Sequence, residues 1–101
     1  MSQTQTLGKV ATSVQHEGIL TIVRYHATDV VKFSDAHITL NSGGWRTNTT
    51  KLRMNQASNQ FGLGFTVYQR MGQWFVRFNM RSGTVIPFED GMILQRVAVN
   101  A

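Results

Sequence analysis

The chain has 101 residues, 42% of them hydrophobic, no cysteine, and ten Lys and Arg against five Asp and Glu, giving a formal net charge of +5 and a pI near 10.5. That is room for one domain built on one core, and it excludes disulfides, thiolate metal sites and cysteine nucleophiles together. No apolar run approaches the roughly 20 residues that a membrane-spanning helix needs.

Residues 1–16 are rich in Ser, Thr and Gln, and neither a period of 2 nor one of 3.6 holds through them. They read as an arm ahead of a single domain over residues 17–98. The first residues carry neither the basic cluster nor the apolar run of a secretory signal, so the expected location is the cytoplasm. Gly18 opens a strand in which Ile19, Thr21, Val23 and Tyr25 alternate with Leu20, Ile22, Arg24 and His26. Val30 to Phe33 and His37 to Asn41 make two more, and short turns between them give three antiparallel strands.

Ser42-Gly43-Gly44 is a corner, with Trp45 after it as a large core or platform residue. The pattern then changes. Asn48 or Thr49 can cap a helix, Met54, Ala57 and Phe61 fall on one face, and Gly62 is its natural stop, which predicts a helix over 49–61. Hairpins follow: Leu63 to Tyr68, a turn at Arg70-Met71-Gly72, Trp74 to Asn79, a turn at Arg81-Ser82-Gly83, and Thr84 to Phe88, where Pro87 marks an edge strand. Asp90-Gly91 is the strongest turn signal, and Met92 to Val97 closes the sheet. The fold expected is α+β: a curved antiparallel sheet or small open barrel of about six to eight strands, with one helix mid-chain. Its expected core is Ile22, Phe33, Leu40, Trp45, Phe61, Phe65, Trp74, Val76, Phe78, Ile86 and Leu94.

Catalysis finds little support in the residue pattern. His16, His26 and His37 have no metal-ligand spacing, the serines lack a nucleophile-elbow context, and the neighbouring acids Glu89 and Asp90 sit in a turn, where carboxylates ordinarily accept backbone N–H groups. The expectation is a non-enzyme with no metal and no cofactor. Binding is better supported. The basic bias suits a polyanion, and the glycine corner and helix start gather Arg46, Lys51 and Arg53, cations that oppose the helix dipole unless an anion offsets them. Asn55, Gln56 and Asn59 on the same helix could read bases, although polar amides also serve as an ordinary solvated face. The rival is a protein partner from host or phage, met at the Thr84–Phe88 edge or at Met71 and Met80. No membrane role is expected.

The strings Asn41-Ser-Gly-Gly-Trp-Arg-Thr47, Arg53-Met-Asn-Gln-Ala-Ser-Asn-Gln-Phe-Gly-Leu-Gly-Phe65, Val67-Tyr-Gln69, Trp74-Phe-Val76 and Pro87-Phe-Glu-Asp-Gly-Met92 resemble a family of small phage or prophage proteins that carries a domain-of-unknown-function label. The resemblance spans residues 20–96 and implies no activity and no site residues. It does imply a phage source, and with it a nucleic acid or a host protein, for example a defence complex, as the partner.

Overall fold

The computed structural model describes residues 12–44, 46–78 and 84–96. Along the chain come β1 (Thr12–Glu17), β2 (Leu20–Tyr25), β3 (Thr28–Phe33), β4 (His37–Leu40), α1 (Asn48–Phe61), β5 (Phe65–Arg70), β6 (Gln73–Phe78), β7 (Thr84–Pro87) and β8 (Met92–Gln95). The strands form two open antiparallel sheets, ordered β1-β2-β3-β4-β8 and β5-β6-β7. The α+β architecture with a single helix is therefore as expected, and the alternative between curved sheet and barrel resolves into two sheets that do not close. Trp45, Asn79, Met80, the expected turn at 81–83 and the end of the last expected strand lie outside the described residues, as do residues 1–11.

β1 falls inside the segment read as an arm. Its pairing with β2 runs from Thr12↔Tyr25 to Glu17↔Leu20, yet all its residues but Thr12 are exposed. A strand held by its ladder alone buries no apolar face, so it leaves no periodic signal. Gly18 and Ile19 make the two-residue turn, with Gly18 at φ +59, and Ile19, expected within the strand, is 86% exposed. Between β2 and β3 the register steps from Val23↔Val31 to Arg24↔Asp29. Val30 is the extra residue of a bulge, and for that reason adjacent Val30 and Val31 are both fully buried.

The helix begins one residue earlier than expected, because the cap is Thr47 rather than Asn48 or Thr49. Thr47 has extended backbone angles and its hydroxyl accepts the N–H of Thr50 at 3.2 Å. Gly62 ends the helix in the left-handed conformation at φ +65. Met54 and Ala57 are fully buried and Phe61 packs on Phe33 with ring centroids 5.1 Å apart.

Polar residues of α1 have structural work as well. β5 is an edge strand of the smaller sheet, and the helix covers that edge. Asn55 accepts the N–H of Val67 at 2.7 Å and donates to its carbonyl at 2.9 Å. The Ser58 hydroxyl donates to the Phe65 carbonyl at 2.7 Å and accepts the Phe65 N–H at 3.0 Å. Two side chains thus stand in for a neighbouring strand, which satisfies backbone groups that a bare edge would leave open.

One core serves both sheets. Val23, Val31, Ile38, Leu40 and Leu94 from the larger sheet join Phe65, Val67, Trp74, Val76 and Phe78 from the smaller one, with Met54 and Ala57 of the helix between. Of the expected core, Phe33, Phe61 and Ile86 are only partly buried at its margin. The Asp90-Gly91 turn does not make a hairpin. β7 pairs with β6 and β8 with β4, so the turn passes the chain from one sheet to the other. Its local chemistry suits a tight turn, but long-range pairing with β4 decides where the next strand goes.

Candidate functional site at the helix start

The corner between β4 and α1 is assembled by hydrogen bonds from within and from a distant turn. Asn41 Oδ1 accepts the Gly43 N–H at 2.7 Å and the Ser42 hydroxyl accepts the Gly44 N–H at 3.2 Å. Gly43 and Gly44 have φ of +66 and +84. A Cβ on Gly43 would lie 2.4 Å from Thr28 Oγ1, so glycine is required there for room as well as for conformation. From the far end of the sequence, Asp90 Oδ1 accepts both the backbone N–H and the hydroxyl of Ser42, at 2.8 and 2.7 Å, while Gly91 N–H donates to the Leu40 carbonyl at 2.7 Å.

Partial burial would by itself raise the Asp90 pKa. The two Ser42 donors, the Arg46 charge and the Gly44 N–H more than offset that, and the carboxyl titrates below its ordinary value. Asp90 is thus a structural acceptor, in the role expected for turn carboxylates.

Beside this corner two cations converge on one indole. The Arg46 guanidinium lies 5.8 Å from the Trp74 ring centroid and 4.9 Å from that of Phe88. Lys51 Nζ lies 5.5 Å from the Trp74 centroid and donates to Gln69 Oε1 at 3.3 Å. Trp74 and Phe88 meet edge to face at 5.3 Å, a floor that keeps both cationic stems in place. Trp74 itself is only 4% exposed. It carries the cations and has no open face on which a base could stack. Arg46 has a loose ion pair with Asp90 at 3.9 Å, an exposed pair that neutralises little. The first turn of α1 contains no acid, so the partial positive charge of the helix end adds to those two charges.

The other sequence-predicted residues do not join this cluster. Arg53 is 8% exposed, donates from Nη1 to Gln56 Oε1 at 3.0 Å, and packs its guanidinium 5.6 Å from the Tyr25 ring centroid. Gln56 is buried with it. Asn55 is engaged at both ends of its amide by Val67, and Asn59 is exposed. Sequence reasoning missed Ser42, Asp90 and Phe88 as parts of the site, since each reaches it through contacts distant along the chain. The burial of Arg53 had a signal: Thr50, Arg53 and Ala57 extend the Met54–Ala57–Phe61 stripe by one turn, at the spacing of a helix face.

His16, His26 and His37 are all exposed, and no group of three His, Cys, Asp or Glu among the described residues could hold a metal ion. No helix among them is long and apolar enough to cross a membrane.

The family model described as Kyanoviridae Gp96 protein matches residues 1–95 of the chain. No curated protein and no solved structure matches it.

Proposed function

We propose that this chain, which belongs to the Kyanoviridae Gp96 family of phage proteins, is a non-catalytic binding protein that contacts nucleic acid or another polyanion through Arg46, Lys51 and the first turn of α1. The observation that carries this reading is the placement of both cations over the single Trp74 ring at an acid-free helix start. Two cations and the positive end of α1 gather there with only the loose Asp90 pair against them, and a phosphate at the helix end offsets that excess of positive charge. The site reads charge rather than sequence, because Trp74 is covered and Asn55 and Gln56 bond within the fold. Such contacts position a protein on a phosphate backbone without base readout.

The experiment is retardation of short single-stranded and duplex DNA and RNA by the purified protein at low salt. Retardation of all of them with similar affinity is the expected result, and absence of retardation at about 20 mM salt, where phosphate contacts are strongest, refutes the reading.

A protein partner from host or phage is the second reading. β7 is an outer strand of the smaller sheet, with Val85 on it 44% exposed, and Met71 is 94% exposed at its hairpin tip. Pairing of a partner strand along β7 would place its side chains beside Val85. Replacing Val85 and Met71 by Ser separates the two readings: it abolishes capture of such a partner and leaves polyanion retardation as it was.

A further inference from the structure

The smaller sheet turns one face to the core and the other away from it, and the helix-start site uses only the first. Side chains along a strand alternate between the two faces. Phe65, Val67, Trp74, Val76 and Phe78 are buried, which leaves Tyr68, Arg70, Gln73, Phe75 and Arg77 on the outer face. Arg70, Gln73 and Arg77 are exposed, and Tyr68 and Phe75 are partly so. Trp74 and Phe75 are neighbours in β6, so one ring supports Arg46 and Lys51 from the inner side while the next belongs to a different surface.

The strand register orders this outer face into rows. Tyr68 pairs with Phe75 and Phe75 with Pro87, so their rings lie side by side across the sheet. The Tyr68 and Phe75 rings stack, with centroids 5.8 Å apart and an interplanar angle of 29°. Arg70, opposite Gln73, is in the next row toward the hairpin tip, and Arg77 is in the next row on the other side. The two arginines therefore bracket the rings, about 13 Å apart along the strands at roughly 3.3 Å per residue. Charge agrees with this arrangement. β5, β6 and β7 contain no Asp or Glu, whereas the larger sheet carries Glu17 and Asp29 on its strands. Among the described residues no carboxylate pairs with Arg70 or Arg77. A cross-strand ring pair steadies a hairpin, but steadying it calls neither for a cation on each side nor for the exclusion of acids.

We propose that this face binds single-stranded DNA, an unpaired base stacking on Tyr68 and Phe75 and the flanking phosphates accepting from Arg70 and Arg77. Aromatic side chains take any unpaired base, and guanidinium groups take phosphates. A duplex keeps its bases stacked on one another and offers this face its phosphates alone. The contacts are to bases and phosphates and none requires a 2′-hydroxyl, so the strand assigned is DNA. The surface is separate from the polyanion site, which uses Arg46 and Lys51 on the other side of the sheet, and the assignment stands without that site.

The test is fluorescence anisotropy of a labelled twelve-nucleotide DNA strand, its duplex, and RNA of the same sequence, at about 20 and about 200 mM salt. At the lower salt phosphate contacts dominate, and single strand and duplex bind alike. Duplex affinity falls faster as salt rises, with a slope of about −0.9 per phosphate against about −0.7 for a single strand, which leaves stacking to decide. At the higher salt the DNA strand should bind about tenfold tighter than the duplex. Tyr68→Leu/Phe75→Leu, which keeps apolar side chains on the face, should remove that preference. Arg70→Gln/Arg77→Gln should make the single-strand salt slope shallower by up to about 1.4, and Arg46→Ala/Lys51→Ala should retain the preference. If the ring variant does not fold, NMR of the wild-type rings decides: the Tyr68 and Phe75 resonances should shift with single-stranded DNA at the higher salt. Equal affinity for strand and duplex there, tighter binding of the RNA, an undiminished preference in a folded ring variant, or ring resonances that DNA leaves in place overturns the proposal.

Discussion

Asn55→Ala separates a residue that holds the fold together from one that reads a ligand. In the structure its amide makes two bonds to Val67, at 2.7 and 2.9 Å, and Val67 is 2% exposed. Each such bond contributes about 1 kcal/mol net, and a buried N–H or C=O left without a partner costs about 1–3 kcal/mol. Asn55 is only half-buried, so water replaces part of what is lost, and alanine returns up to about 0.7 kcal/mol in helix propensity. The expected net loss is about 2 kcal/mol. Asn59→Ala makes the same chemical change at an exposed position of the same helix and should be neutral or slightly stabilising. Urea unfolding monitored by circular dichroism reads both. With a slope of about 1–2 kcal/mol/M, the Asn55 variant should unfold at a midpoint about 1–2 M lower. Equal midpoints for the two variants would refute the edge-covering role of α1.

Asp90→Asn should make stability less dependent on pH. The native carboxyl titrates below its ordinary value, so its contribution is complete above the unfolded pKa of about 3.9 and is lost as pH falls through the lower folded value. Wild type should therefore exceed the variant in stability at pH 6, and the gap should narrow below about pH 4 in thermal melts. Gly43→Ala should be markedly worse than Gly44→Ala: both are left-handed, but only at Gly43 does the new Cβ meet Thr28, at 2.4 Å. Left-handed strain alone costs about 1 kcal/mol, and denaturant midpoints should show a further loss at Gly43. Equal losses would mean that the corner moves away from Thr28 without cost.

Local chemistry was legible in the sequence wherever it decides the structure. Gly62 stops the helix, Met71-Gly72 turns a hairpin with both residues at positive φ, and the alternation in β5 and β6 gave their buried faces. The phage-family resemblance is borne out at that level. What could not be read depends on pairing across the chain. Nothing near Asp90 announces that its carboxylate bonds Ser42, 48 residues away, and nothing near Met92 announces β4 as its neighbour. The helix shows the same limit. Asn55 and Ser58 are polar because they face the backbone of an edge strand, yet in sequence such residues look like a solvated surface. Arg46 and Lys51 both lie near Trp74 at the helix start, but Arg53, two residues beyond Lys51, is buried with Gln56.

The salt dependence of binding to a short DNA duplex tests the polyanion site most directly, measured by fluorescence anisotropy for wild type, Arg46→Ala/Lys51→Ala and Arg53→Met. Each phosphate contact contributes about one unit to the slope of log affinity against log salt, because neutralising a phosphate releases condensed counterions. The account predicts a slope shallower by up to about 2 in the double variant, with weaker binding at low salt, and an unchanged slope in Arg53→Met, whose cation is buried. A double variant that keeps the wild-type slope and affinity would contradict it.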